Sequence, residues 1–130
     1  MANTEVKQDL LYTEDHEWVR KLDNDEVEVG ITAYAAGELG ELVYAEAEPE
    51  DTEVDKGDVV ASLESVKMAA DIYAPCSGTI IEGNEDIEDE PETISNAPYE
   101  TWLVRLKLSD PADLDELMDA AAYVKMIEEA

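Results

Sequence analysis

Basic residues, cysteine, histidine and long apolar runs are all scarce in this chain of 130 residues, and each scarcity excludes a class of function. Only 8 lysines and arginines are present, too few to follow a phosphate backbone, so we expect no nucleic-acid partner and no binding to anionic lipid. The single cysteine excludes a disulfide framework and multi-cysteine metal sites. No apolar run approaches the roughly 18 residues of a membrane span, and the opening segment lacks the apolar stretch of a signal peptide. These absences predict a soluble, cytoplasmic protein without a membrane partner.

Acidic residues are in large excess: the 35 aspartates and glutamates give a formal net charge of −27. Such a charge can belong to a disordered tail, to a mimic of nucleic acid or to a surface adapted to concentrated salt. The acids are spread along the chain and alternate with apolar residues, as in Glu26–Gly30, which is typical of the solvent side of packed strands. Molar salt shortens the Debye length to about 3 Å and screens this self-repulsion. We therefore favour a halophilic surface, while a nucleic-acid mimic stays open.

Short apolar runs separated by turn-forming residues predict an all-β architecture. Two strand-like runs, Glu17–Arg20 and Val27–Val29, flank the turn-forming segment Asp23–Asp25. A further strand is predicted over Trp102–Leu108, and an acidic loop over Glu85–Glu92.

Helical signals occur in two places beside the strands. Thr32 is a suitable N-cap for a short helix, and Ser109, Asp110 and Pro111 form a helix-start pattern with proline in the first turn. The length suits a single domain. Within that domain, residues 1–130, the predicted segments are a loose polar lead-in (1–9), a short helix (near 33–37) and a helical appendage (109–130) with helices near 111–129.

The most regular pattern surrounds Lys67. Two short apolar runs, Val59–Leu63 and Ile72–Ala74, flank the polar-centred segment Glu64–Met68. This arrangement predicts two strands that rise to one tip and return, with Lys67 at the tip. An ordinary surface lysine at a turn would look the same, so the pattern alone leaves its role open.

No enzyme active site is visible in the sequence. His16 lies between two acids and Cys76 follows a proline, and neither has a partner in a recognisable catalytic motif. We expect Cys76 to be a small buried turn residue and His16 to pack beside Trp18. Glycine-rich phosphate loops, nucleophile elbows and zinc-binding histidine pairs are all absent. No catalytic residue and no metal ligand is therefore predicted.

The segment around Lys67 resembles the lipoyl-attachment segment of the glycine cleavage system H protein family. The attachment motif corresponds to Glu64, Ser65, Val66 and Lys67. The resemblance covers roughly residues 9–129, and its other motifs are Tyr12–Val19, Gly30–Thr32, Ala36, Leu39–Gly40, Ala74–Gly78, Asn96–Tyr99 and Trp102. Met68 stands where the family usually has alanine, so Val66–Met68 is also similar to the tip of biotin carriers.

The resemblance implies a flattened barrel-sandwich of the lipoyl and biotinyl type, and a carrier rather than an enzyme. It implies a lipoate held in an amide bond to Lys67. The carrier would take the aminomethyl group left when a pyridoxal-phosphate-dependent glycine decarboxylase acts on glycine, and present it to a tetrahydrofolate-dependent aminomethyltransferase. A dihydrolipoyl dehydrogenase and a lipoate-attaching enzyme complete the implied partners. Glu17 and Asp71 are implied to line the cleft that shelters the loaded arm.

Two other functions stay open at this stage. A biotinyl carrier domain of a carboxylase would use the same lysine, whereas an acidic interaction protein would need no modification. The mass of the protein from its native cell distinguishes the three, because lipoate and biotin add different masses and the third adds none.

Overall fold

The computed structural model describes residues 6–129, which contain nine strands in two sheets. In chain order the strands are β1 (Leu11–Tyr12), β2 (Glu17–Lys21), β3 (Glu26–Ile31), β4 (Leu42–Ala47), β5 (Glu53–Val54), β6 (Val59–Ser65), β7 (Ala69–Tyr73), β8 (Gly78–Gly83) and β9 (Val104–Leu108). The larger sheet has the order β1-β2-β3-β9-β8-β5, and the smaller has the order β4-β6-β7. Every neighbouring pair is antiparallel.

Apolar side chains from both sheets form one core. Val29 and Leu106 come from the larger sheet, Leu63 and Ile72 come from the smaller, and all four are buried in the same cluster. These four side chains therefore pack against one another between the two sheets. The result is a two-sheet sandwich, which confirms the all-β prediction. Among the described strands no ladder joins the two sheets, so they do not close into a barrel.

The turn between β2 and β3 confirms the prediction made for Asp23–Asp25. Asn24 and Asp25 both have a φ of 61°, the left-handed conformation that two-residue hairpin turns require. Short polar side chains of this kind adopt it more easily than others because they bond to the nearby backbone.

Four short α-helices and one 3₁₀ helix connect or follow the strands in the described part of the chain. They are α1 (Ala33–Leu39), α2 (Asp86–Asp89), α3 (Glu92–Asn96), the 3₁₀ helix (Pro111–Glu116) and α4 (Ala120–Glu128). Thr32 caps α1 as predicted, since its side-chain oxygen accepts a hydrogen bond from Ala35 N–H. Asp110 and Asp119 cap the two C-terminal helices in the same way, which confirms the helical prediction there. None of the described helices is long and apolar enough to cross a membrane.

Two predicted boundaries are wrong. The expected acidic loop over Glu85–Glu92 contains α2 and the start of α3. Ile87 and Ile94 are fully buried, and packing of these two side chains on the core stabilises helical turns that are too short to be stable alone. The strand expected over Trp102–Leu108 begins only at Val104.

A second apolar cluster attaches α4 to the larger sheet. The rings of Tyr12 and Tyr123 are stacked with their centroids 4.5 Å apart. The backbones of Tyr12 and Met118 exchange hydrogen bonds of 2.8 and 2.9 Å. These contacts hold β1 against α4 and against the residues that precede this helix.

Candidate functional site

Lys67 lies at the tip of the hairpin formed by β6 and β7. β6 ends at Ser65 and β7 begins at Ala69, so the connection consists of Val66, Lys67 and Met68, and all three are exposed. The predicted hairpin with a lysine at its tip is therefore confirmed.

The side chain of Ser65 organises this turn. Its hydroxyl oxygen accepts hydrogen bonds from the backbone N–H groups of Lys67 and Met68, at 3.2 and 3.0 Å. The hydroxyl donates to the carbonyl oxygen of Met68 at 3.2 Å, and Ser65 N–H donates to the same carbonyl at 2.7 Å. The Ser65 hydroxyl thus uses its one donor position and both of its acceptor positions. The backbone that carries Lys67 is held by bonds on both sides of the lysine.

The loop after α1 supports the tip from one side. The backbone N–H of Val66 donates to the carbonyl of Glu41 at 3.2 Å. Gly40 has a φ of +81°, and a Cβ placed there would lie 3.3 Å from Cε of Lys67. The aliphatic part of Lys67 therefore lies across Gly40, at a position where a side chain would crowd it.

A cavity of about 570 Å³ lies at the other end of the same hairpin. Its wall comes from the segment between β1 and β2, the end of β7, the loop before β6, the 3₁₀ helix region and α4. The lining includes Thr13, Glu17, Lys56, Tyr73 and Met126. Lys67 and Asp71 do not line this cavity.

Glu17 is a carboxyl buried in that wall, with an exposed fraction of 1 %. Its Oε2 accepts a hydrogen bond from the backbone N–H of Tyr73 at 2.7 Å, and its Oε1 accepts one from the hydroxyl of Thr13 at 3.1 Å. Burial raises the pKa of Glu17 to about 8, although both hydrogen bonds act to lower it. At neutral pH Glu17 is therefore mostly protonated and uncharged.

Asp71 lies between the tip and the cavity. It is exposed on β7, where it is opposite Ser62, and the hydroxyl of Ser62 is 3.5 Å from its Oδ1. Asp71 and Tyr73 are two residues apart on one strand, so their side chains point to the same face. The structure thus groups Glu64, Ser65, Val66 and Lys67 at the tip, whereas Glu17 lies in the cavity wall and Asp71 lies on β7 between the tip and the cavity.

His16 does not pack beside Trp18, so that prediction is wrong. Its ring lies 4.6 Å from the ring of Tyr34, and its Nδ1 is 2.8 Å from the hydroxyl of Tyr123. The reason is its backbone, whose φ of +67° directs the side chain away from the strand and toward α4. Burial lowers the pKa of His16 below its usual value. His16 is a contact between the β1–β2 segment and α4.

Cys76 is fully buried, as predicted, and burial raises the pKa of its thiol to about 11. A thiol of this kind is not a nucleophile at neutral pH. Among residues 6–129 no group of three or more histidine, cysteine, aspartate or glutamate side chains is arranged to hold a metal ion.

Sequence reasoning did not identify the part that four residues have in these two sites: Thr13, Gly40, Glu41 and Tyr73. Thr13 and Tyr73 hold Glu17, while Gly40 and Glu41 support the tip. Tyr73 and Glu41 act through backbone atoms, which leave no signal in residue type. A glycine directly after an apolar helix was the one visible signal, because it indicates a helix end with a left-handed residue.

Comparisons with known proteins agree with this geometry. The family described as glycine cleavage H-protein matches residues 10–130. A probable glycine cleavage system H protein of Thermococcus gammatolerans is 52 % identical over 124 residues, which cover 95 % of this chain and 92 % of the relative. A glycine cleavage system H protein of Staphylococcus saprophyticus is 46 % identical over 125 residues, which cover 95 % of this chain and 98 % of the relative.

A solved structure shows the same fold. The crystal structure of a glycine cleavage system H protein from Mycobacterium marinum superposes with a TM-score of 0.86 at 32 % identity, and the match covers 95 % of this chain and 99 % of that one. Family match, relatives and structure all extend over nearly the whole chain and include both the hairpin tip and the cavity. The chain therefore belongs to the glycine cleavage H-protein family.

Proposed function

We propose that Lys67 is the lysine on which this chain carries lipoate. Membership of the family makes the chain a non-catalytic lipoyl carrier of the glycine cleavage system, and the family carries its lipoate on a lysine. The family match does not favour a biotinyl carrier or an unmodified interaction protein. The observation that supports Lys67 is its place in a short, hydrogen-bonded turn between two paired strands, with its side chain exposed.

The other five lysines occupy different surroundings. Lys56 forms an ion pair with Glu116 at 3.2 Å, and Lys107 donates to the backbone carbonyl of Asn24. The remaining three are Lys7, Lys21 and Lys125. Of the lysines within residues 6–129, Lys67 is the one that lies inside a connection between two paired strands.

The residues at the tip fit an attached lipoyl group. Nζ of Lys67 would hold it through an amide bond, while Ser65 and Glu41 hold the backbone in place. When bound, lipoate supplies a disulfide that takes up the aminomethyl group of glycine as the carboxyl group leaves as carbon dioxide. The chain itself supplies position and shelter.

We propose that Glu17 and Asp71 provide this shelter, Glu17 in the cavity and Asp71 along the way to it. From Lys67 to Tyr73 is six residues, or about 20 Å of extended strand. Asp71 is exposed along this path, and the buried Glu17 lies where the path ends. A cationic amine beside Glu17 lowers its pKa and favours the carboxylate, so the cavity suits a small primary amine.

Formaldehyde release tests this shelter. A loaded aminomethyl carrier loses its carbon as formaldehyde when water reaches it, so Glu17→Gln and Asp71→Asn should each accelerate the release while lipoylation stays normal. Glu53→Gln, a change of an exposed acid on β5 that does not line the cavity, is the matched control and should behave as wild type. Release rates equal to wild type in both test variants would contradict the proposal.

We further propose that the chain works in a salt-rich cytoplasm with the partners that the family's chemistry requires. These are a pyridoxal-phosphate-dependent glycine decarboxylase, a tetrahydrofolate-dependent aminomethyltransferase, a dihydrolipoyl dehydrogenase and a lipoate-attaching enzyme. The distribution of acids supports the salt-rich setting: within residues 6–129, Glu17 and Glu28 are the acids that are buried, and the others reach solvent.

A carrier assay with two lysine variants tests the assignment of Lys67. Lys67→Arg should leave folding intact, because an exposed turn substitution changes stability by less than about 0.5 kcal/mol, yet it should abolish support of glycine decarboxylation. Lys21→Arg, a change of an exposed lysine at the end of β2 that does not line the cavity, should support the reaction as wild type does. Carrier activity in Lys67→Arg, or its loss in Lys21→Arg alone, would place the lipoate on another lysine.

A further inference from the structure

The large apolar side chains that are exposed in the described chain are confined to one region. All six lie on the smaller sheet or on its hairpin tip, and none lies on the larger sheet. Their exposed fractions are 70 % for Val66, 55 % for Val43, 48 % for Met68, 42 % for Tyr44, 38 % for Val59 and 37 % for Tyr73. In a surface that is otherwise dominated by acids, such a concentration marks an interaction site.

Four of the six form a patch around Lys67, which we call the tip patch: Val43, Tyr44, Val66 and Met68. Val66 and Met68 are the neighbours of Lys67 in the turn. Val43 and Tyr44 are on β4, directly beside that turn, because Leu42 is opposite Ser65 and Tyr44 is opposite Glu64. The other two, Val59 and Tyr73, are opposite each other at the far end of the hairpin.

A β-bulge is the reason that Val43 and Tyr44 are both exposed. Between the pair Leu42–Ser65 and the pair Tyr44–Glu64, β4 advances by two residues while β6 advances by one. Val43 is therefore the extra residue in the ladder. In a regular strand one of two successive side chains would face the core, whereas here both face solvent. Bulges of this kind redirect side chains near functional sites. This one adds an apolar side chain next to Lys67.

The rim of the tip patch is acidic. Glu41 and Glu64 flank the turn, and Glu46 accepts a hydrogen bond of 2.9 Å from the hydroxyl of Tyr44. All three acids are exposed. A complementary partner has an apolar recess with lysine or arginine side chains around it.

We propose that the tip patch is the docking surface for the enzyme that attaches lipoate, a step that rests on the proposed function of Lys67. That enzyme has to bring Nζ of Lys67 itself into its active site, so its surface must cover the residues around the lysine. Enzymes that act later meet the far end of a long arm and can stay away from the tip. The docking surface of the attaching enzyme is therefore the one that has to coincide with the tip patch.

The attachment step defines what docking must achieve. Nitrogen Nζ of Lys67 forms a bond to the carbonyl carbon of an activated lipoyl group, and the bond from that carbon to the activating group breaks. The activating group leaves with the electron pair, and the ammonium group of Lys67 gives up two protons in becoming an amide. Docking on the tip patch holds Nζ at the carbonyl carbon for this step.

The proposal is tested by measuring the kinetics of lipoylation with a lipoate–protein ligase, lipoate and ATP. The test variant is Val43→Ser/Tyr44→Ser, and the control is Val59→Ser, a change of an exposed apolar residue at the far end of the same hairpin that does not line the cavity. We expect the test variant to lose kcat/KM by at least about tenfold, mainly through a higher KM, since it loses binding rather than chemistry. The control should stay within about twofold of wild type. Thermal unfolding identifies any variant whose fold has changed. If the double variant Val43→Ser/Tyr44→Ser does not fold, the single variants Val43→Thr and Tyr44→His replace it.

Each outcome is decisive. Unchanged lipoylation of the test variant, or an equal loss in the control, overturns the docking surface while the role of Lys67 stands. Normal lipoylation together with poor use of the lipoylated test variant by glycine decarboxylase overturns the choice of partner. Failure of the wild-type chain to become lipoylated at Lys67 instead overturns the proposed function, which the mass of the wild-type product shows independently of the variants.

Discussion

At the scale of single residues, two glycines have left-handed backbones but only one of them contacts Lys67. Gly40 and Gly57 have φ values of +81° and +96°. A side chain at either position is strained, because such values place Cβ too close to the backbone. A Cβ at Gly40 would also lie 3.3 Å from Cε of Lys67, whereas a Cβ at Gly57 would meet nothing within 4 Å.

This difference gives a paired prediction. Gly40→Ala and Gly57→Ala should each lower the free energy of unfolding by about 1 kcal/mol, measured by chemical denaturation. Only Gly40→Ala should also shift the NMR resonance of Cε of Lys67, because only that methyl group displaces the lysine. Equal shifts in the two variants would show that Gly40 does not support the lysine.

Glu17 predicts an unusual dependence of stability on pH. Its pKa is about 8 in the folded chain against an ordinary value of 4.5, so between these values the folded state holds a proton that the unfolded state has lost. The stabilisation is therefore complete below about pH 4.5 and is lost as the pH rises through about 8. Glu17→Gln has no proton to lose at this position.

Thermal unfolding of wild type and Glu17→Gln across this range checks the sign. From about pH 5 to about pH 8 the wild type should lose stability relative to Glu17→Gln, by at most about 1.4 kcal/mol per pH unit. Parallel profiles for wild type and Glu17→Gln would mean that Glu17 is ionised in the folded chain.

At the scale of elements, α4 is attached to the sandwich by a buried hydroxyl group. The hydroxyl of Tyr123 is 2.7 Å from Oγ1 of Thr32 and 2.8 Å from Nδ1 of His16. Tyr123 and Thr32 are both fully buried. Since α4 provides Met126 to the cavity wall, this attachment fixes one side of the site that contains Glu17.

Removal of that hydroxyl should loosen α4. Tyr123→Phe takes one of two hydrogen-bond partners from the buried hydroxyl of Thr32 and also removes the partner of Nδ1 of His16. It should therefore cost about 1–3 kcal/mol in unfolding free energy and weaken hydrogen-exchange protection in α4. Tyr34→Phe is the control, because the hydroxyl of Tyr34 bonds to Glu38 at the surface, and it should stay within about 0.5 kcal/mol. An unchanged exchange pattern in Tyr123→Phe would mean that ring packing alone holds the helix.

Elements with local signals could be predicted from the sequence. The hairpin around Lys67 has alternating apolar runs, α1 has the cap Thr32, and the C-terminal helices have Pro111 in a first turn. The helices α2 and α3 could not be predicted, because their acidic sequences favour a loop. They form because Ile87 and Ile94 pack on the core, and that packing depends on strands far away in the chain.

The residues of the candidate site also divide into those with a local sequence signal and those whose contacts depend on distant parts of the chain. Lys67 and the residues proposed as its attachment motif are contiguous, so a sequence pattern is enough to single them out. Glu17 was named through the family resemblance, but its burial and its bond to the backbone of Tyr73, 56 residues later, are visible only in the fold. The wrong expectation for His16 has the same origin, since its partner Tyr123 is 107 residues away.

At the scale of the whole molecule, the two arginines of the larger sheet are used in a ladder of opposite charges. Arg20, Glu28, Arg105 and Glu82 lie side by side on β2, β3, β9 and β8. Their ion pairs have distances of 3.1, 2.9 and 2.7 Å. The two guanidinium groups also lie over the two tryptophan rings, at 4.7 and 4.2 Å from the centroids. Acids elsewhere have few such partners, so most of the net charge of −27 remains unbalanced.

The unbalanced charge predicts a steep dependence of stability on salt. Repulsion between exposed acids lowers a stability that is small in any domain of this size, and salt screens that repulsion. The melting temperature should therefore rise strongly from low to molar KCl, far more than for a near-neutral member of the family measured beside it. A flat response would contradict the interpretation as a surface adapted to salt.

The proposed carrier function depends most on Lys67 being the lysine that carries lipoate. Peptide mapping by mass spectrometry of the protein isolated from its native cell tests this directly, because it reads the modification of each of the six lysines separately. We predict one lipoyl amide, on the peptide that contains Lys67, and no modification of the other five. Lipoate on a different lysine, or biotin at Lys67, would contradict the assignment of Lys67 as the lipoyl lysine.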